Sequence, residues 1–213
     1  MLVVASGCSD NSEQSETPRS SSGVAANKVC DGTLDASAAA ALQRLSGAER
    51  FEELTGTNDA GEPNTFSVSR AVKHLHDNYS AQGTCWVYKT DDDSGRSFLE
   101  IRFSAAKSHP SSSAGESGDD TVLYPMGVYA RVSGNGADLY FDCPTKATTD
   151  DAFTGDTEFV KAEMYAVAAK IQGKDVNKDR ITILNSMARA VAEAAGCAST
   201  AALPTRVPEA KSG

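Results

Sequence analysis

The sequence predicts an α+β fold: an antiparallel sheet of about four strands with four helices packed mainly on one face. Three observations carry this expectation. Leu99, Ile101 and Phe103 alternate with Glu100 and Arg102, the pattern of a half-buried strand. Ser-Gly-Asn-Gly at 133–136 lies between two alternating runs and reads as a hairpin turn. On either side of these strands, Ala-rich stretches repeat apolar residues at steps of three and four, the helical period.

Taken in order, Asp35 caps a helix running from Ala36 to Leu45, which Gly47 ends. Thr55 to Asn64 carries turn chemistry and reads as a loop. Ser67 caps a second helix whose Val68, Val72, Leu75 and Tyr79 form one apolar stripe. Strands over Cys85–Lys89 and Phe98–Phe103 flank a polar turn containing Asp91, Asp92 and Asp93. The Ser/Gly-rich stretch from Ser104 to Asp120 reads as a loop. Strands over Met126–Val132 and Ala137–Cys143 follow. With Asn135-Gly136 as the two turn residues, Val132 would lie opposite Leu139 and Ala130 opposite Phe141. Asp156 then caps a helix with Val160, Met164, Val167 and Ile171 on one face, stopping at Gly173. The last helix places Ile181, Leu184, Ala188, Val191 and Ala195 together, with Gly196 beyond its end.

The chain has 213 residues, 40% hydrophobic and 23% charged, with a net charge of −9. That composition supports a folded core. The acidic balance, with no basic cluster, argues against a nucleic-acid partner. No apolar run is long enough to span a bilayer. The first residues, Met1 to Cys8, are apolar and end in Ser6-Gly7-Cys8. This end resembles the lipobox of bacterial lipoproteins, in which a cysteine after small residues is lipidated and becomes the mature N-terminus. The resemblance implies that the true signal begins upstream of Met1. The domain reading is therefore a truncated signal and lipobox at 1–8, a Ser-rich tether at 9–27, a single disulfide-stabilised domain at 28–200, and a disordered tail at 201–213.

Five cysteines make an odd number. If Cys8 carries lipid, four remain to pair outside the cytoplasm. The favoured pairing is Cys30–Cys85 with Cys143–Cys197, because each bridge would clamp a helical segment to the strand beside it. The nested alternative, Cys30–Cys197 with Cys85–Cys143, stays open at this stage. The layout resembles the uncharacterised secreted lipoproteins of actinobacteria. That likeness rests on Ser6-Gly7-Cys8, Cys30 before an Ala-rich helix, Cys85-Trp86-Val87, and the strand from Gly136 to Cys143. It implies export and anchoring at the outer face of the cell membrane, and no activity.

Catalytic motifs are weak. Ser104-Ala-Ala-Lys107 matches S-x-x-K, but the partner elements of penicillin-recognising enzymes are absent. His74 and His76 lie on different faces of a helix, and all three histidines, including His109, read as surface residues. Asp91 to Asp93 fits no calcium-loop register. No metal or cofactor is implied. The feature closest to a site is a strand face: Tyr129, Arg131, Asp138, Tyr140 and Asp142 project together, away from Leu139 and Phe141. The expected role is binding or scaffolding at the cell surface. The partners would be the membrane, through lipid on Cys8, and a cell-envelope protein or small ligand. The alternatives are an envelope hydrolase using paired carboxylates, or a small-ligand carrier with an apolar pocket between sheet and helices.

Overall fold

The computed structural model describes residues 23–78, 83–111, 121–149 and 152–211. The lipobox around Cys8 and most of the expected tether lie outside these residues, as does Tyr79. Eight strands, β1 (Val24–Ala25), β2 (Arg50–Glu53), β3 (Cys85–Lys89), β4 (Leu99–Ala106), β5 (Val122–Leu123), β6 (Tyr129–Ser133), β7 (Gly136–Thr145) and β8 (Thr157–Ala166), form one antiparallel sheet. Their order is β1-β2-β3-β4-β8-β7-β6-β5. Among the described residues, four α-helices accompany them: α1 (Ala36–Ser46), α2 (Val68–Lys73), α3 (Val176–Ala194) and α4 (Ala198–Ala201).

The expectation of about four strands is therefore wrong, and the sheet is twice that wide. Its largest error is at 156–171. Val160 and Met164 are spaced for a helix, but Val160, Ala162, Met164 and Ala166 are also spaced for a strand. The chain uses the second pattern. All four are buried, while Phe159, Lys161, Glu163 and Tyr165 turn the other way. Asp156 caps no helix; its Oδ1 accepts a hydrogen bond from Ala147 N–H at 3.0 Å. This strand sits at the centre of the sheet, between β4 and β7, and so joins the two halves.

The apolar core residues of the long strands point to one side, and the helices cover that side. Phe51, Leu99, Ile101, Leu139, Phe141 and Met164 meet Leu42, Leu45, Ile181 and Leu184 there. In α1, Asp35 accepts from Ser37 N–H and Ala38 N–H, both at 3.0 Å, as an N-cap does. Arg44 of α1 pairs with the buried Asp179 of α3. Helix α2 is shorter than its stripe predicts, ending at Lys73.

Two disulfides hold this layer to the sheet: Cys30–Cys85 and Cys143–Cys197, the sequential arrangement. Glu53 supports the first. Its carboxylate accepts from Cys30 N–H at 2.9 Å and from Phe66 N–H at 3.1 Å. Burial pushes its pKa up, and the two backbone donors hold it back.

Three further expectations are corrected. Ordered structure begins before residue 28, since Val24–Ala25 pairs with Phe51 and Arg50. The tail does not fray after 200: Leu203 and Val207 pack on the core, and Lys211 N–H donates to Leu123 O. The β6–β7 hairpin forms, but Ser133 pairs with Gly136, so Gly134-Asn135 make the turn. Gly134 takes the left-handed first position at φ 47°. Val132 consequently faces Ala137 and Ala130 faces Leu139, a shift of two residues. A two-residue shift leaves every side chain on its expected face.

Candidate functional site

The face of the sheet turned away from the helices is built by the outward residues of β3, β4, β8, β7 and β6. Strand register arranges them in rows. One row runs Trp86, Glu100, Tyr165, Gly136 and Ser133. The next runs Arg102, Glu163, Asp138 and Arg131. A third runs Ser104, Lys161, Tyr140 and Tyr129.

The middle row is a continuous ion-pair chain. Arg131 Nε donates to Asp138 Oδ2 at 2.9 Å, and Arg102 Nε donates to Glu163 Oε2 at 2.9 Å. Lys161 joins the two halves, with Nζ 3.0 Å from Asp138 Oδ1 and 3.1 Å from Glu163 Oε1. Burial by itself would lower the Lys161 pKa; Asp138 and Glu163 outweigh it and hold the ammonium above its usual range. Lys161 also lies 5.8 Å from the centre of the Tyr140 ring, a cation–π distance. Tyr140 and Tyr129 meet edge to face at 6.0 Å. Burial raises the Tyr140 pKa, against the pull of Lys161. At the other margin, Trp86 Nε1 donates to Glu100 Oε1 at 2.8 Å.

A hollow of about 480 Å³ opens over this network. Its lining includes Glu100, Arg102, Arg131, Asp138, Glu163 and Tyr165, with Gly136 at its floor. A Cβ at Gly136 would sit 3.3 Å from Met164 O, so glycine keeps β7 close to β8 and leaves the floor bare. Tyr165, directly opposite Gly136, is 46% exposed.

Of the residues expected to form a face, Tyr129, Arg131, Asp138 and Tyr140 come together in this network. Asp142 shares their side but lies farther along β7, exposed and opposite Phe159. Sequence reasoning missed Trp86, Lys161, Glu163 and Tyr165 as members. The last three were hidden by the helical reading of β8. The alternation of β4 had already turned Glu100 and Arg102 outward.

The remaining motifs resolve locally. Ser104 sits within β4, exposed, and not at the start of a helix. Asp92 accepts from Ser94 N–H and pairs with Lys170, whose contact holds its carboxyl well below the usual range. His76 is not a surface residue: it is 4% exposed, and its Nδ1 faces the carbonyls of Thr154 at 2.8 Å and Gly155 at 3.1 Å. His74 lies between Glu62 and Asp77. His109 packs its ring on Phe159 at 4.9 Å. Among the described residues, no group of three or more His, Cys, Asp or Glu is placed to hold a metal ion. No helix among them is long and apolar enough to cross a membrane. Compared with models of protein families, with curated proteins and with solved structures, the chain matches none.

Proposed function

We propose that this protein is an extracytoplasmic binding protein, held at the outer face of the cell membrane by lipid on Cys8, with the open sheet face as its binding surface. The observation that carries the reading is the asymmetry of the sheet. One face is sealed by helices, and the other presents a polar, aromatic-edged hollow of about 480 Å³. The two disulfides support a location outside the cytoplasm. The carboxylates favour binding over proton transfer. Asp138 and Glu163 each have both oxygens paired to cations, an arrangement that fixes their geometry and occupies their acceptor atoms. The space between sheet and helices is filled by Phe51, Leu99, Leu139 and Phe141, which leaves the open face as the better place for a ligand.

The test is site-directed photo-crosslinking in intact cells. A benzophenone side chain replaces Tyr165 on the sheet face, or Glu193 on the exposed side of α3. Position 165 should yield a discrete product of altered mobility that position 193 does not. Equal labelling from both, or none from 165, overturns the proposal.

A further inference from the structure

We propose that the hollow over Gly136 binds an uncharged carbohydrate segment, with one sugar ring stacked on Tyr165. This rests on the sheet face being the binding surface, and it names the ligand class.

Charge balance comes first. The chain is strongly acidic overall, yet the site is not. Glu100, Asp138 and Glu163 are matched by Arg102, Arg131 and Lys161. An ionic ligand competing for Arg102, Glu163, Lys161, Asp138 or Arg131 would have to displace a partner from an existing ion pair. A hydroxyl group both donates and accepts. It can add to a paired carboxylate or guanidinium while the pair stays intact. Polyhydroxylated, uncharged ligands are what such a surface selects.

Preorganisation comes second. Arg102, Glu163, Lys161, Asp138 and Arg131 hold one another in place across four strands. Their side-chain entropy is already lost before a ligand arrives, so hydrogen bonds made to them are not offset by ordering. An exposed aromatic ring adds apolar contact. Large exposed hydrophobic side chains among the described residues are Val24, Phe153 and Tyr165, and Tyr165 alone lines the hollow. Its cross-strand neighbour on β7 is glycine, which leaves the sheet bare on that side, while Glu100 flanks it on β4. The C–H face of a pyranose is flat and apolar, and it matches the electron-rich face of an aromatic ring. The volume lies in the range of small-ligand sites, about 300–1,000 Å³.

The chain carries its own reporter. Trp86 is its single tryptophan, and its indole N–H is bonded to Glu100, which lines the hollow. Purified, disulfide-bonded protein is titrated with cellotetraose, laminaritetraose, maltotetraose and tetra-N-acetylchitotetraose. Tetragalacturonate and fully deacetylated chitosan tetramer serve as anionic and cationic comparators. At least one neutral oligosaccharide should give a saturable change in Trp86 fluorescence. Tyr165→Phe, which keeps the ring, should bind within about twofold of the parent. Tyr165→Ala should bind about tenfold more weakly. The proposal is overturned if no neutral oligosaccharide titrates up to about 10 mM, if a charged comparator binds more tightly than all four, or if Tyr165→Ala binds as well as the parent. Cross-linking from position 165 without any neutral-sugar titration would remove the carbohydrate assignment and leave the binding face standing.

Discussion

Asp138 and Glu163 stand directly opposite one another on β7 and β8, an arrangement that repels when nothing intervenes. Lys161 makes it tenable by bridging both carboxylates from the neighbouring row. Because its folded pKa is raised above its ordinary value of 10.5, its stabilising contribution is complete below that value. The contribution is lost as pH rises through the raised one. Lys161→Met keeps much of the apolar stem and removes the bridge. It should destabilise the fold by about 1–3 kcal/mol at neutral pH, read from urea melts. The loss should shrink in strongly alkaline buffer, as the parent's Lys161 ammonium gives up its proton and the bridge is lost there too. An undiminished loss in alkaline buffer would mean that Lys161 matters for packing alone.

At the scale of elements, β8 separates what a sequence shows from what it conceals. Val160 and Met164 satisfy both periods, and the alanines at 162 and 166 are too small to mark a face. Only pairing with β4 and β7 decides between helix and strand. Strands β1, β2 and β5 escape notice for another reason. Each is two to four residues long and shows no run of alternation to read, as with β2, whose one fully inward side chain is Phe51. By contrast β4, β6 and β7 alternate over five residues or more, so the outward position of Arg131, Asp138 and Tyr140 was legible in advance. The hairpin turn was misplaced because Asn-Gly is the stronger turn signal. Gly136 is instead required in the strand, where it faces Tyr165 and a side chain would crowd Met164 O. Adjacent residues of β8 give the test. Met164→Ala, at a 1% exposed position, should cost about 2–5 kcal/mol. Tyr165→Ala, on the open face, should stay within about 1 kcal/mol of the parent. Similar losses at both positions in chemical denaturation would contradict the strand.

For the whole molecule, the disulfides fix how the helical layer sits on the sheet. Cys30–Cys85 and Cys143–Cys197 close loops of 55 and 54 residues, each worth roughly 4 kcal/mol in the chain-entropy picture. Together they fasten the segments before α1 and after α3 to opposite halves of one sheet, so the helical layer is clamped at both ends. This pairing uses all four cysteines of the described residues. Electrostatics cannot replace a covalent anchor here. A net charge of −9 is repelled by an anionic lipid surface. On the proposed reading, anchoring hangs on Cys8. Cys8→Ala, expressed behind a complete lipoprotein export signal, should move the protein from the membrane fraction to the soluble one. Both bridges should stay intact, as mobility on non-reducing gels will show. A variant that folds, forms both disulfides and still sediments with membranes would show that something other than lipid on Cys8 holds the protein there.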